Sequence, residues 1–175
     1  MKDPDKYFIS IENQNDFDAI ESILNKSFGK DRIKRTVYKF RYGNPVKDLC
    51  LVLKFLDKES GNSIILASIR YWPIMFSDVK GLILGPLAVQ KELQGSGFGK
   101  KLVRFSLFMA RKQRWKFCFV SGEYHYFKQF GFNQIPKKNI ILPGFIEPER
   151  NLIKFFNKKI NLELGNPPWK ISSIE

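Results

Sequence analysis

Residues 82–89 form an apolar run, Gln94-Gly95-Ser96-Gly97-Phe98-Gly99 follows it, and an amphipathic run then continues to about Arg114. A strand that feeds a glycine-rich turn and then a helix constrains this chain more than any other feature. Phe117-Cys118-Phe119-Val120 reads as the next strand, so the unit predicts a right-handed parallel crossover. The turn is also suited to anions. Its glycines let the backbone come close and take up positive φ, and the first N–H groups of the helix have no partner within it. Two phosphate-binding patterns are excluded. No GK[ST] follows the turn, and Lys100 stands where G-x-G-x-x-G needs its third glycine. Lys100 and Lys101 fall in the first helical turn, where a cation costs roughly 0.3–1 kcal/mol at an exposed terminus. A bound pyrophosphate reverses that sign. The plainer alternative is a solvated lysine pair of negligible cost.

The remaining periodicities fill in the fold. Residues 7–11 read as a first strand. Phe17, Ile20, Ile23, Leu24 and Phe28 share one helical face, with Asn15 or Asp16 as N-cap and Gly29 as stop. Residues 33–42 read as a second helix, closed by Gly43-Asn44-Pro45. Residues 49–55 and 64–71 read as a hairpin, with Pro73 weakening any continuation. Gly85-Pro86 interrupts the strand over 82–89. A short helix is expected over 124–130, late strands over 140–142 and 152–156, and an irregular tail from Gly165. The hairpins are antiparallel and the crossover parallel. The expected fold is therefore mixed α/β, with a mainly antiparallel central sheet, one parallel strand–helix–strand unit and helices on both faces.

Composition narrows the function. The chain has 175 residues, which suits one domain over 1–175. No apolar run approaches the ~18 residues of a membrane span, and no signal-peptide core follows the N-terminal charges, so a cytoplasmic, non-membrane protein is expected. Two cysteines, Cys50 and Cys118, and the single His125 exclude a disulfide scaffold and multi-histidine metal chemistry. Both cysteines sit in apolar runs and are expected to be non-catalytic. The net charge of +13 is spread along the chain without a basic block. Nucleic acid is thus a disfavoured partner, and a lysine-rich surface is the plainer reading.

Leu87-Ala88-Val89 followed by residues 94–99 resembles motif A of the GNAT superfamily of N-acetyltransferases, [QR]-x-x-G-x-[GA]. Tyr126-Phe127-Lys128-Gln129-Phe130-Gly131-Phe132 resembles the superfamily's Tyr-x-x-x-Gly-Phe helix end. Residues 84–89 and 141–144 are most similar to a branch of small bacterial predicted acetyltransferases. The resemblance covers about residues 48–145. It implies acetyl-CoA as donor and a primary amine, on a small molecule or a protein, as acceptor. It needs no metal. Backbone groups of Leu87, Ala88 and Val89 would bond the pantetheine arm. Those of Gly95, Ser96, Gly97, Phe98, Gly99 and Lys100 would cradle the pyrophosphate, with Gln94 orienting the turn. A homodimer is an open alternative to a monomer.

The sequence departs from the family at one position. The usual acid is a tyrosine four residues before the glycine of Gly-Phe, and here that residue is Phe127. Tyr126, one residue earlier, is the nearest hydroxyl and the candidate donor to the leaving sulfur, with Tyr124 or water as alternatives. Glu123 and His125 are candidate bases or proton relays. Glu123 also reads as a helix cap, and His125 as an exposed helix residue. Phe127, Phe130 and Phe132 read as core. The substitution at 127 keeps a second reading open: a catalytically weak acyl-CoA-binding sensor or partner protein of the same fold.

Overall fold

The computed structural model describes residues 6–57, 61–157, 160 and 164–174. Tyr7–Ile11 is strand β1 and Phe17–Phe28 is helix α1. Ile20, Ile23 and Leu24 are the buried stripe of α1, and Gly29 ends it at φ 77°. The helix starts directly after Asp16, one of the two expected N-caps. A 3-10 turn, Gln14–Asp16, precedes α1 and is closed by a capping box. Asn13 Oδ1 accepts the Asn15 N–H, and Asp16 Oδ2 accepts the Asn13 N–H. Asp16 holds the N-cap position of α1 but makes no side-chain bond to its N–H groups.

The second predicted helix is replaced by two 3-10 turns, Lys30–Lys34 and Thr36–Phe40, with Arg35 extended between them. Ile33, Thr36 and Val37 are β-branched and stiff in a regular helix. Leu51–Leu56 (β2), Ser63–Phe76 (β3) and Val79–Val89 (β4) form an antiparallel meander beside β1. β3 runs through Pro73, against expectation. On that edge of β3, β2 pairs up to Ile69 and the last strand pairs from Ile74. Pro73 falls between the two, where its missing N–H leaves no rung broken.

Phe98–Lys112 is helix α2, Phe117–Ser121 strand β5 and Tyr124–Phe127 a short helix α3, continued by the 3-10 turn Lys128–Phe130. Asn133–Gln134 (β6), Ile140–Ile141 (β7), Asn151–Phe155 (β8) and Trp169–Ser173 (β9) complete the sheets. The order is β1-β2-β3-β4-β5-β8-β6, with β9 on the edge of β3 and on β7. Within that path β4–β5 is the parallel pair. β9 lies where an irregular tail is expected. Its signal is the period of two in Trp169, Ile171 and Ser173, masked by the prolines before it.

The helices cover opposite faces. Val52, Ile65 and Ala88 pack with α1, while Leu51, Leu53 and Ile69 pack with Leu102, Val103 and Leu107 of α2. Ser106 belongs on the buried face of α2 because its hydroxyl pairs with the Tyr71 hydroxyl at 2.7 Å. Cys50 and Cys118 are buried as free thiols. Burial pushes the Cys50 thiol up to about 11 and raises that of Cys118 further. Both stay protonated at neutral pH and act as small apolar groups.

Lys54 Nζ reaches Asp16 Oδ1 at 2.7 Å, and both side chains are less than a tenth exposed. This pair fixes the start of α1 to the middle of β2. Lys54→Met is expected to cost about 3–5 kcal/mol, because it leaves Asp16 buried without a counter-charge. Paired replacement by Lys54→Met and Asp16→Leu is expected to restore most of that loss in urea unfolding.

Candidate active site

β4 and β5 pair at Leu82 with Cys118 and at Ile83 with Phe119, and then part. Leu84, Leu87, Ala88 and Val89 stay paired to β3. The other backbone edge of residues 87–89 therefore has no strand beside it among the described residues. Gly85 is part of the reason. Its φ of 125° is open to glycine and strained for other residues. Pro86, next to it, has no N–H to offer a neighbouring strand. The unpaired edge leaves N–H and C=O groups that need partners.

A cavity of about 600 Å³ opens in the gap. The parted strands, the glycine turn, the start of α3 and the segment after α1 form its walls. Ala88 points away toward α1, so it offers the gap only its backbone. Leu87 and Val89 pack on the α2 side.

At one end of the gap, Gly95 and Gly97 take φ 86° and 87°. A Cβ on either would meet no atom within 4 Å, so both backbones face open space. Gly97 is the N-cap of α2, and no side chain caps that helix. Its first N–H groups are thus left for a ligand. Gln94, Gly95, Gly97, Phe98, Gly99 and Lys100 all border the cavity. Ser96 does not; its hydroxyl bonds the Leu93 carbonyl and shapes the turn. Of the two lysines, Lys100 borders the cavity and Lys101 does not. The Phe98 ring packs against Tyr7, 5.2 Å between centroids, and anchors the turn to β1.

The α3 end brings Glu123, Tyr126 and Phe127 to the cavity. His125 is exposed and Tyr124 half-buried, and neither borders it. Tyr126 and Phe127 point differently. A Cβ on Gly99 would lie 2.9 Å from Tyr126 Oη and 3.3 Å from Val89 Cγ2, so the hydroxyl sits between the first turn of α2 and the end of β4. Burial raises its pKa, which keeps the proton on at neutral pH. The Phe127 ring is buried against Gly122, where a Cβ would meet it at 2.4 Å, and stacks edge-on to Phe132. Glu123 stands at the N-cap of α3 without capping it. It is exposed, and it pairs with Arg150 instead.

Arg32, Arg35, Arg41 and Arg150 are cavity residues that motif reasoning misses. With Lys100 they make five cations around a cavity whose one acidic residue, among those described, is Glu123. The available signal is the density of arginine and lysine over residues 30–41. The 3-10 turns then bring three of those arginines to one side.

The arrangement can hold an extended chain along β4 with an anion at the turn. Among the described residues no group of three or more His, Cys, Asp or Glu side chains could hold a metal. No helix among them is long and apolar enough to cross a membrane. No curated protein matches the sequence. Solved structures do. The GNAT family N-acetyltransferase YhbS from Escherichia coli, in complex with CoA, is 20% identical with a TM-score of 0.73, over 100% of this chain and 94% of that one. A GNAT family acetyltransferase from Brucella melitensis, in complex with acetyl-CoA, is 22% identical with a TM-score of 0.59, over 85% and 95%. An acetyltransferase of the GNAT family from Staphylococcus aureus is 13% identical with a TM-score of 0.57, over 86% and 99%. These likenesses support the fold. The model of the Acetyltransferase (GNAT) family matches residues 17–132, well over half of the chain. The chain belongs to the GNAT family of acetyltransferases.

Proposed function

We propose that this chain transfers the acetyl group of acetyl-CoA to a primary amine. The observation that carries the reading is the unpaired edge of Leu87, Ala88 and Val89, which opens on a cavity ending at the bare N-terminus of α2. When bound, acetyl-CoA supplies an activated thioester carbonyl. The edge of β4 holds the pantetheine arm and offers N–H groups to the carbonyl oxygen as charge develops there. The turn from Gly95 to Lys100 holds the pyrophosphate. In the transfer, the N–C bond forms as the C–S bond breaks. The amine gives up a proton and the sulfur gains one. Glu123, the acidic residue at the cavity wall, accepts the first. Tyr126, a protonated hydroxyl facing the cofactor side, donates the second. Alignment of the reactants supplies up to ~7–11 kcal/mol of the barrier reduction.

Two features favour a second reading. Phe127 is buried and has no proton to give at the family's acid position. Tyr126 Oη lies beside Gly99, closer to the turn than to the opening of the strands at Gly85. A weakly catalytic acyl-CoA binder would keep both. Release of free thiol from acetyl-CoA across a panel of amines separates the two readings.

Gly97→Asp is expected to weaken CoA binding about 100-fold or more in calorimetry, since it strains the left-handed residue and sets a negative charge against the pyrophosphate. Tyr126→Phe is expected to lower kcat by about 10²–10⁴ while changing the CoA Kd far less. The reverse pattern makes Tyr126 a positioning residue. Glu123→Gln is expected to lower kcat/KM about 10²-fold at neutral pH. An unchanged kcat/KM assigns the proton to water.

A further inference from the structure

Arg41 ends the second 3-10 turn after α1 and lines the cavity beside Gly85. Its Nη2 lies 2.9 Å from the place a Cβ would take on Gly85. Its guanidinium carbon stands 4.1 Å from the centre of the Tyr38 ring and 5.6 Å from that of Trp72. Its Nε and Nη1 are buried and have no hydrogen-bond partner. Among the described residues no carboxylate pairs with it.

The other cations near it are engaged. Arg32 pairs with Glu21 and donates to Asn25. Arg35 is exposed, leans on the Phe28 ring and donates to the Phe28 carbonyl at 3.4 Å. Arg150 pairs with Glu123. A buried guanidinium without a counter-ion carries a desolvation cost that aromatic contact offsets only in part. Burial above all, opposed by Tyr38 and assisted by Arg32, lowers its pKa to about 10, so it remains a cation at neutral pH.

Position decides which anion it meets. From Gly85 to Val89 the strand covers at most about 13 Å, and the start of α2 at Gly99 lies beside Val89. Arg41 therefore stands at the far end of the parted strand from the pyrophosphate cradle, where the acceptor must approach the thioester. Resting on the acetyl-transfer reading above, we propose that Arg41 binds a carboxylate on the acceptor, so that the substrates are amines carrying a carboxylate, amino-acid-like compounds. The planar guanidinium matches a carboxylate in shape as well as charge. The same charge could also be brought by a dicarboxylic acyl group on the donor, and the experiment separates the two.

The experiment compares the common amino acids with their carboxamides as acceptors for acetyl-CoA. The carboxylate member of the best pair is expected to have a kcat/KM about 10–100-fold higher. Arg41→Gln is expected to bring that ratio toward unity, and Arg41→Lys to recover part of it. Equal use of both members, or a ratio that survives Arg41→Gln, overturns the inference. So does a preference for succinyl-CoA over acetyl-CoA that Arg41→Gln removes, because it places the carboxylate on the donor. A binding arm uses N-acetyl amino acids and their amides with the CoA-loaded chain. The acids are expected to bind about 10–100-fold tighter than the amides. This arm reads the Arg41 site without turnover. Tighter binding of the acids with no thiol release overturns acetyl transfer and keeps the anion site, whereas turnover without discrimination does the reverse.

Discussion

Two rungs of parallel pairing, Leu82 with Cys118 and Ile83 with Phe119, join the β1–β4 part of the sheet to the β5–β8–β6 part. The site depends on their being so few. Were β5 to follow β4 to Val89, its ladder would consume the backbone groups that face the cavity. The strands close at one end because Gly81 leaves room for the Phe117 ring, which a Cβ would meet at 2.4 Å. They open at the other because Gly85 turns the chain and Pro86 offers no N–H. A gap held open in this way must be supported from outside. The support comes from α2 under Tyr71 and Leu84, and from the cluster of Phe40, Ile83 and Phe119 on the other face.

The same arrangement explains why adjacent aromatic residues in α3 have different tasks. Successive residues on a helix are roughly 100° apart. Phe127 turns to the core, where Gly122 gives it space and Phe130 and Phe132 surround it. Tyr126 turns to the gap with its ring edge-on to Phe130 and its hydroxyl beside Gly99. A tyrosine at 127 would point its hydroxyl from a different azimuth, so the two positions are not interchangeable.

What could be read from the sequence follows from the range of the forces involved. The strand–turn–helix unit, the stripe of α1 and the hairpins are local patterns, and the structure has them. β9 escapes because two prolines precede it and its partners, β3 and β7, are remote in sequence. The second helix fails because β-branched residues and the burial of Phe40 outweigh its apolar spacing. At the site, the turn residues are visible from glycine placement alone. Arg41 and Arg150 are not, because nothing near them in sequence marks which cations will be buried beside a gap.

The failed helix is itself part of the site's design. A regular helix over 33–42 would spread its basic residues around a cylinder and hold most of them in water. Two 3-10 turns with an extended Arg35 between them instead bring Arg32, Arg35 and Arg41 to one wall. Arg32 is tied back to α1 through Glu21 and Asn25, which braces the segment. Phe40, fully buried, pins its end against Phe119 with the ring centres 6.3 Å apart. Arg41 follows directly after that anchor, so its direction is set by packing before any ligand arrives. The net charge of +13 indicates little by its size, since most of it is solvated. Its few desolvated members carry the information, because a guanidinium removed from water keeps its preference for an anion undiluted by solvent.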